Sequence, residues 1–303
     1  MQWDSSWNFG GAADFNGDGV QDHLYHNGTD ILITTLGRVD GQTATLESAV
    51  SPLLNGQSQS IPDGWTLVGA ADMTGDGIGD LIFRSQAEDA TAIWQIGNTN
   101  EVVQQVFVHN AAGTIARTTP TGKDSPWTID GFGDFDGDGD IDLLYRWSAT
   151  GQMAIWQMDG FTVETTKFLN GTAPSGSSLH VGDFNGDGIQ DVIARNPLTD
   201  VTQLWSLDRQ VHATETLMSK ADIGWEIQAI ADMNGDGTDD LIWQHQGQDL
   251  SAVWMMQDGM MTTGSDWIRD ARPNGNQALV KTGDPHWEIQ FATDRPRVVA
   301  KTA

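Results

Sequence analysis

Five nine-residue segments of this chain superimpose without a gap: DFNGDGVQD from Asp14, DMTGDGIGD from Asp72, DFDGDGDID from Asp134, DFNGDGIQD from Asp183 and DMNGDGTDD from Asp232. Their first residues are 58, 62, 49 and 49 apart. A period of that length marks a repeat architecture, in which each copy is one supersecondary unit and neighbouring copies bury a shared core. The flanks repeat as well. Trp7, Trp65, Trp127 and Trp225 stand seven residues before the first Asp, with Gly176 in that place in the fourth copy. Trp94, Trp156, Trp205 and Trp254 stand fourteen residues after the last Asp. The first copy has a shorter connection there and puts Thr34 at the equivalent point.

The pattern inside one copy is that of four short strands. In the second copy they are expected at 65–71, 81–84, 90–96 and 102–108, with the nine-residue segment joining the first two. The second strands read HLY, LIF, LLY, VIA and LIW. Continuous apolar triplets suit strands covered on both faces, as packing between neighbouring sheets provides. Four strands per period, separated by turn signals and without helical periodicity, indicate radial repetition of four-stranded sheets, an all-β propeller. The repeats run over about 7–60, 65–115, 127–172, 176–220 and 225–270, within one propeller domain spanning 1–303. A sixth copy begins with Trp287 seven residues before Asp294, then continues as RPRVVAKTA without the glycines and later acids. Five complete blades and a small sixth over 287–303 are expected. The alternative is a five-bladed ring.

The nine-residue segment supplies the chemistry. Hard cations such as calcium take six to eight oxygens, which a short loop can offer from alternate side chains and a backbone carbonyl. The oxygen side chains fall at loop positions 1, 3, 5 and 9: Asp14, Asn16, Asp18 and Asp22; Asp72, Thr74, Asp76 and Asp80; Asp134, Asp136, Asp138 and Asp142; Asp183, Asn185, Asp187 and Asp191; Asp232, Asn234, Asp236 and Asp240. Position 7, held by Val20, Ile78, Asp140, Ile189 or Thr238, would give its carbonyl. Glycines at positions 4 and 6 permit the sharp turn that aims these groups at one point. A hairpin turn alone needs one Asn-Gly or Asp-Gly, not acids at positions 1, 5 and 9 in five copies. The glutamate that an EF-hand puts at position 12 is missing; Tyr25, Phe83, Tyr145, Ala194 or Trp243 stands there. About five calcium ions are expected, which would bring the formal charge from −27 to −17.

The loop, the aromatic-led strand before it and the apolar strand after it resemble the FG-GAP repeats of the integrin α-chain propeller and, more closely, their bacterial relatives called VCBS repeats. The resemblance runs from Trp7 to the C-terminus. It implies a β-propeller with calcium in the loop joining the first two strands of each blade. Integrin propellers have seven blades, whereas five copies and a fraction occur here.

Other chemistry is thinly represented. There is no cysteine, which removes disulfides, thiolate metal sites and cysteine catalysis. The 42 acidic residues against 15 basic ones disfavour nucleic acid and anionic membranes as partners. No run of eighteen apolar residues suggests membrane insertion. His23, His26, His109, His180, His212, His245 and His286 share no motif, and no GxSxG, phosphate-binding loop or dinucleotide fingerprint occurs. Three function classes follow: a non-enzymatic module for protein interaction, adhesion or assembly; a carbohydrate-binding lectin; and a polysaccharide lyase-like enzyme. The first is preferred, with a protein partner. Trp3, Trp147 and Trp267 match no repeated position and are the candidate contacts for it. An extracellular or periplasmic site is expected, with an intracellular assembly subunit as the alternative, since the first residues carry no secretory-signal pattern.

Overall fold

A computed structural model describes residues 6–39, 43–218, 221–246, 250–262, 266–267, 287–292 and 295–300. Among the described residues the regular elements are all strands, and no helix is long and apolar enough to cross a membrane. The described residues form five blades of the all-β propeller type, each an antiparallel sheet whose four main strands follow chain order.

Blade 1 is built from Asn8–Ala13, Asp22–His26, Ile31–Val39 and Thr43–Val50. Blade 2 uses Thr66–Ala71, Asp80–Ser85, Ala90–Ile96 and Val102–Phe107, within a residue or so of the sequence expectation. Blade 3 uses Trp127–Gly133, Asp142–Trp147, Gln152–Asp159 and Thr162–Thr172, and blade 4 Ser178–Gly182, Asp191–Asn196, Val201–Leu207 and Ala213–Leu217. Blade 5 uses Trp225–Ala231, Asp240–His245, Leu250–Trp254 and Asp266–Trp267. The sixth repeat contributes Trp287–Ala292 and Arg295–Ala300, paired with each other as a two-stranded sheet. Among the described residues five four-stranded blades are present, consistent with the five-bladed alternative; the hairpin of the sixth repeat does not by itself make the expected small sixth blade.

The chain divides into two compact units. One holds residues 1–132, 138–149 and 154–168; the other holds 133–137, 150–153 and 169–303. Within the first, the even and odd positions of each second strand face different neighbours. Leu24 and Ile33 of blade 1 pack with Leu81, Phe83 and Trp94 of blade 2, while Ile82 and Ile93 of blade 2 pack with Leu143, Tyr145 and Trp156 of blade 3. In the second, Ile193 and Leu204 of blade 4 meet Leu241 and Trp243 of blade 5. This is why the second strand of blade 2 is apolar at consecutive positions: it is a middle strand with blade 1 on one face and blade 3 on the other. Trp94, Trp156 and Trp254, each fourteen residues after its loop, belong to this packing. Phe83–Trp94, Tyr145–Trp156 and Trp243–Trp254 repeat one ring pair, with centroids 4.5, 4.6 and 4.5 Å apart and planes tilted by 42°, 46° and 48°.

Linkers cross from one blade to the next. His109–Asn110, which follows the last strand of blade 2, pairs in parallel with Thr162–Val163 and becomes the fifth strand of the third sheet. Leu53, after blade 1, bridges in parallel to Glu101 at the start of the last strand of blade 2. Each linker covers backbone groups on an outer edge that would otherwise be open to another strand.

Candidate metal centre

Each nine-residue loop starts directly after the first strand of its blade and ends on the first residue of the second. The ten glycines at positions 4 and 6 all have positive φ, from 69° at Gly75 to 97° at Gly139. A residue with a Cβ is strained there, so the two glycines follow from the backbone path.

The position-1 carboxylate organises the turn. In loop 1 Asp14 Oδ1 accepts N–H bonds from Gly17 at 2.7 Å and Asn16 at 3.2 Å, and Oδ2 accepts from Gly19 at 2.6 Å. The position-5 carboxylate accepts the N–H of position 7: Asp18 from Val20 at 2.7 Å, Asp138 from Asp140 and Asp187 from Ile189, both at 2.9 Å. In loop 3 the carboxylates of Asp134, Asp136 and Asp138 lie within 4.8 Å of one another. Arg209, from the turn between the last two strands of blade 4, donates to Gly137 O of that loop at 2.9 Å.

Position 9 has a role that the ligand pattern does not reveal. Asp22, Asp80, Asp142, Asp191 and Asp240 are all fully buried. Asp22 accepts from Phe15 N at 2.9 Å and from Leu36 N, in the third strand, at 2.6 Å. Asp80 does the same with Met73 and Ile96, Asp191 with Phe184 and Leu207, and Asp240 with Met233 and Met256; Asp142 accepts from Met158. The last acid thus ties the loop to the chain at or just beyond the third strand of its own blade. Beside it, the position-2 side chains Phe15, Met73, Phe135 and Phe184 are buried plugs. Their signal was in the sequence, since every copy has Phe or Met there.

These acids fit a cation on three grounds. Burial pushes the Asp22 carboxyl up to about 6, opposed by the Leu36 and Phe15 N–H groups, and the like charges of Asp14 and Asp18 push the same way as burial. Burial likewise raises Asp80 and Asp191 to about 7, with Asp76 and Asp72, or Asp187 and Asp183, adding repulsion. Position 9 therefore faces positions 1 and 5, and the convergent charge is unbalanced by any of the described groups that shift it. Secondly, Thr74 Oγ1, the position-3 oxygen of loop 2, is buried without a hydrogen-bond partner among the described residues. Thirdly, the donor set is all oxygen, the preference of a hard cation. Val20, Ile78, Ile189 and Thr238 also bury their side chains in whole or part, so position 7 packs as well as presenting a carbonyl.

Of the candidate contact residues, Trp147 is 38% exposed. Its ring lies 5.4 Å from that of Trp127, which in turn lies 6.1 Å from that of Phe168, itself 64% exposed. Blade 2 has a related pair, Trp65 and Phe107, with centroids 5.8 Å apart. Trp3 lies outside the described residues, as does the side chain of Trp267.

Residues 134–194, from the first acid of loop 3 through the second strand of blade 4, match the FG-GAP-like repeat family. This stretch is an FG-GAP-like repeat. The other three loops share the spacing of the two nine-residue loops, at 134–142 and 183–191, that this stretch contains. A comparison with curated protein sequences finds no match. Among solved structures the chain resembles an Agrocybe aegerita lectin that recognises non-reducing terminal N-acetylglucosamine, at TM-score 0.54 and 13% identity, covering 86% of this chain and 80% of the lectin. It also matches the nidogen/laminin complex (TM-score 0.47, 11% identity, 91% and 84% covered) and a dihydro-heme d1 dehydrogenase (0.45, 8%, 97% and 56%). At such identities the likeness concerns the fold alone.

Proposed function

We propose that the chain is a non-enzymatic binding module whose blades are stabilised by calcium, one ion in each of the five loops. The carrying observation is the convergence, in a tight turn, of a buried carboxylate at position 9 with a half-buried or buried one at position 1 and an exposed one at position 5, like charges that repel one another. A divalent cation removes that repulsion; a plain turn has no use for it. Positions 1, 3, 5 and 9 would supply side-chain oxygens and position 7 a carbonyl. The acid clusters that a lyase would need are these same loop residues, and as cation ligands they stay ionised and engaged. Loops of this charge suit the calcium-rich surroundings outside the cell, in an adhesion or assembly role.

The partner contact is assigned to the Trp127–Trp147–Phe168 cluster, with a protein as the preferred ligand, because exposed tryptophans dominate interface energetics. A carbohydrate is the second reading. It is favoured by the recurrence, in two successive blades, of a tryptophan ring beside an exposed phenylalanine: Trp65–Phe107 and Trp127–Phe168. A glycan array run beside a pull-down, each with the wild-type chain and Trp147→Ala, separates them. Glycan retention lost in Trp147→Ala supports the lectin. Calcium-independent folding with no metal at saturation, measured by atomic absorption, would remove the basis for the loop assignment.

A further inference from the structure

We propose that cation binding in loops 4 and 5 is cooperative, coupled through Asp239. This coupling rests on the calcium reading above. Asp239 is the eighth residue of loop 5, between Thr238, which would offer its carbonyl, and Asp240. It grips the first residue of loop 4 from both sides. The Asp239 N–H donates to Asp183 O at 2.7 Å, and the Asp183 N–H donates to Asp239 Oδ2 at 2.9 Å.

Asp183 has no slack elsewhere. Its Oδ1 accepts from Gly186 N at 2.7 Å and Asp187 N at 3.2 Å, and its Oδ2 from Gly188 N at 2.8 Å. The next residue, Phe184, accepts at its carbonyl from Gly259 N of blade 5 at 3.0 Å. The loops also touch directly: a Cβ added at Gly186 would lie 2.8 Å from Thr238 Oγ1. Loop 4 is thus seated on loop 5 at its position-1 ligand and at its turn.

The eighth residue makes the backbone half of this contact elsewhere. Gly79 N donates to Asp14 O at 2.7 Å, and Gln190 N donates to Asp134 O at 3.0 Å. Neither residue has a carboxylate, so Asp239 makes a second, charge-assisted attachment specific to the loop 4–loop 5 pair.

An ion in loop 5 fixes Thr238 and Asp240, and with them the intervening Asp239. That in turn fixes the backbone of Asp183, so the second ion meets a ligand whose ordering cost is already met. Shared ordering of this kind gives positive coupling without a change of fold, and by linkage it acts in both directions.

The test is equilibrium dialysis of the full chain against radioactive calcium, comparing the wild type, Asp232→Ala, Asp239→Ala and the double variant. Asp232→Ala, which disables loop 5, is expected to remove one ion and also weaken a second site by about tenfold. In the Asp239→Ala background the same change should remove one ion and leave the other affinities unaltered. Gly79 at the equivalent place in loop 2 shows that this turn accommodates a residue with no side-chain acceptor, and far-UV circular dichroism checks the fold. Asp239→Gln, which places in loop 5 the side chain that Gln190 has in loop 4, provides a second uncoupled variant. Five independent sites in the wild type, or a tenfold effect that survives in Asp239→Ala, overturn the coupling alone. No calcium uptake by the wild type overturns the calcium reading and the coupling with it.

Discussion

The Arg195 guanidinium of blade 4 lies over the Trp243 indole of blade 5, 5.3 Å from its ring centroid, while its Nη1 donates to Asp200 at 3.0 Å. Arg84 repeats the arrangement in the first unit, over the ring of Tyr145 at 5.4 Å and paired with Asp89 at 2.7 Å. Both arginines are the fourth residue after the last acid of their loop, and both are buried. Removing the guanidinium leaves a buried carboxylate unpaired. Arg195→Met should therefore lower stability by about 3–5 kcal/mol. Arg146 holds the same place in blade 3, but it is only half-buried and pairs with Asp130, which also keeps some exposure to solvent. Arg146→Met should cost under about 1 kcal/mol. Urea unfolding of the two variants provides the comparison, and equal losses would refute it.

Acid should destabilise the Arg84 network within a definite window. Burial pushes the Asp89 carboxyl up, but the Thr118 hydroxyl, the Arg84 guanidinium and the Thr119 N–H and hydroxyl outweigh it and hold the group at about 2. A folded value below the unfolded one, near 3.9, means that the stabilisation is complete above pH ~4 and is lost as pH falls toward 2. The amount at stake is about 2 kcal/mol. Asp89→Asn should flatten the stability–pH profile between pH 4 and 2, as measured by denaturant midpoints.

Calcium removal should lower the melting temperature by many degrees. Each site held at tenfold its dissociation constant adds about 1.4 kcal/mol, so five add about 7 kcal/mol, comparable with the net stability of a domain. Calorimetry in excess chelator, with metal content confirmed as zero, checks this.

The five loops should not empty together. Loop 3 carries Asp at positions 1, 3, 5, 7 and 9, whereas loop 2 offers the neutral Thr74 at position 3. Loop 2 is expected to release calcium first and loop 3 last, and Thr74→Asp should tighten loop 2 by about tenfold. Anomalous scattering from crystals across a chelator series gives the order.

Trp147→Ala should weaken partner binding by at least about 2 kcal/mol while costing about 1 kcal/mol of stability, the worth of its contact with the Trp127 ring. Surface plasmon resonance and thermal melts on one preparation separate the two effects. A larger loss of stability than of binding would make Trp147 a core residue only.

Much of this arrangement was legible in the sequence. The second blade's strands follow from turn signals and from apolar triplets, and the glycines of the loops declare its backbone. The burial of Asp80 was not legible. Spacing identifies a carboxylate, but not the third-strand N–H of Ile96 that it accepts. Arg84 and Arg195 were hidden for a related reason: their partners include Ser125 and Trp225, 41 and 30 residues away in the chain, and nothing local marks either contact.

The strand His109–Asn110 belongs to the second repeat by chain and to the third sheet by pairing. The unit that recurs in the sequence and the unit that can be excised intact are therefore offset. A fragment beginning at Trp127 would leave behind the strip that covers Thr162–Val163 and would offer a raw edge for strand-to-strand association. A fragment beginning just before His109 carries its own cover, and is the boundary to choose when single blades are expressed or shuffled.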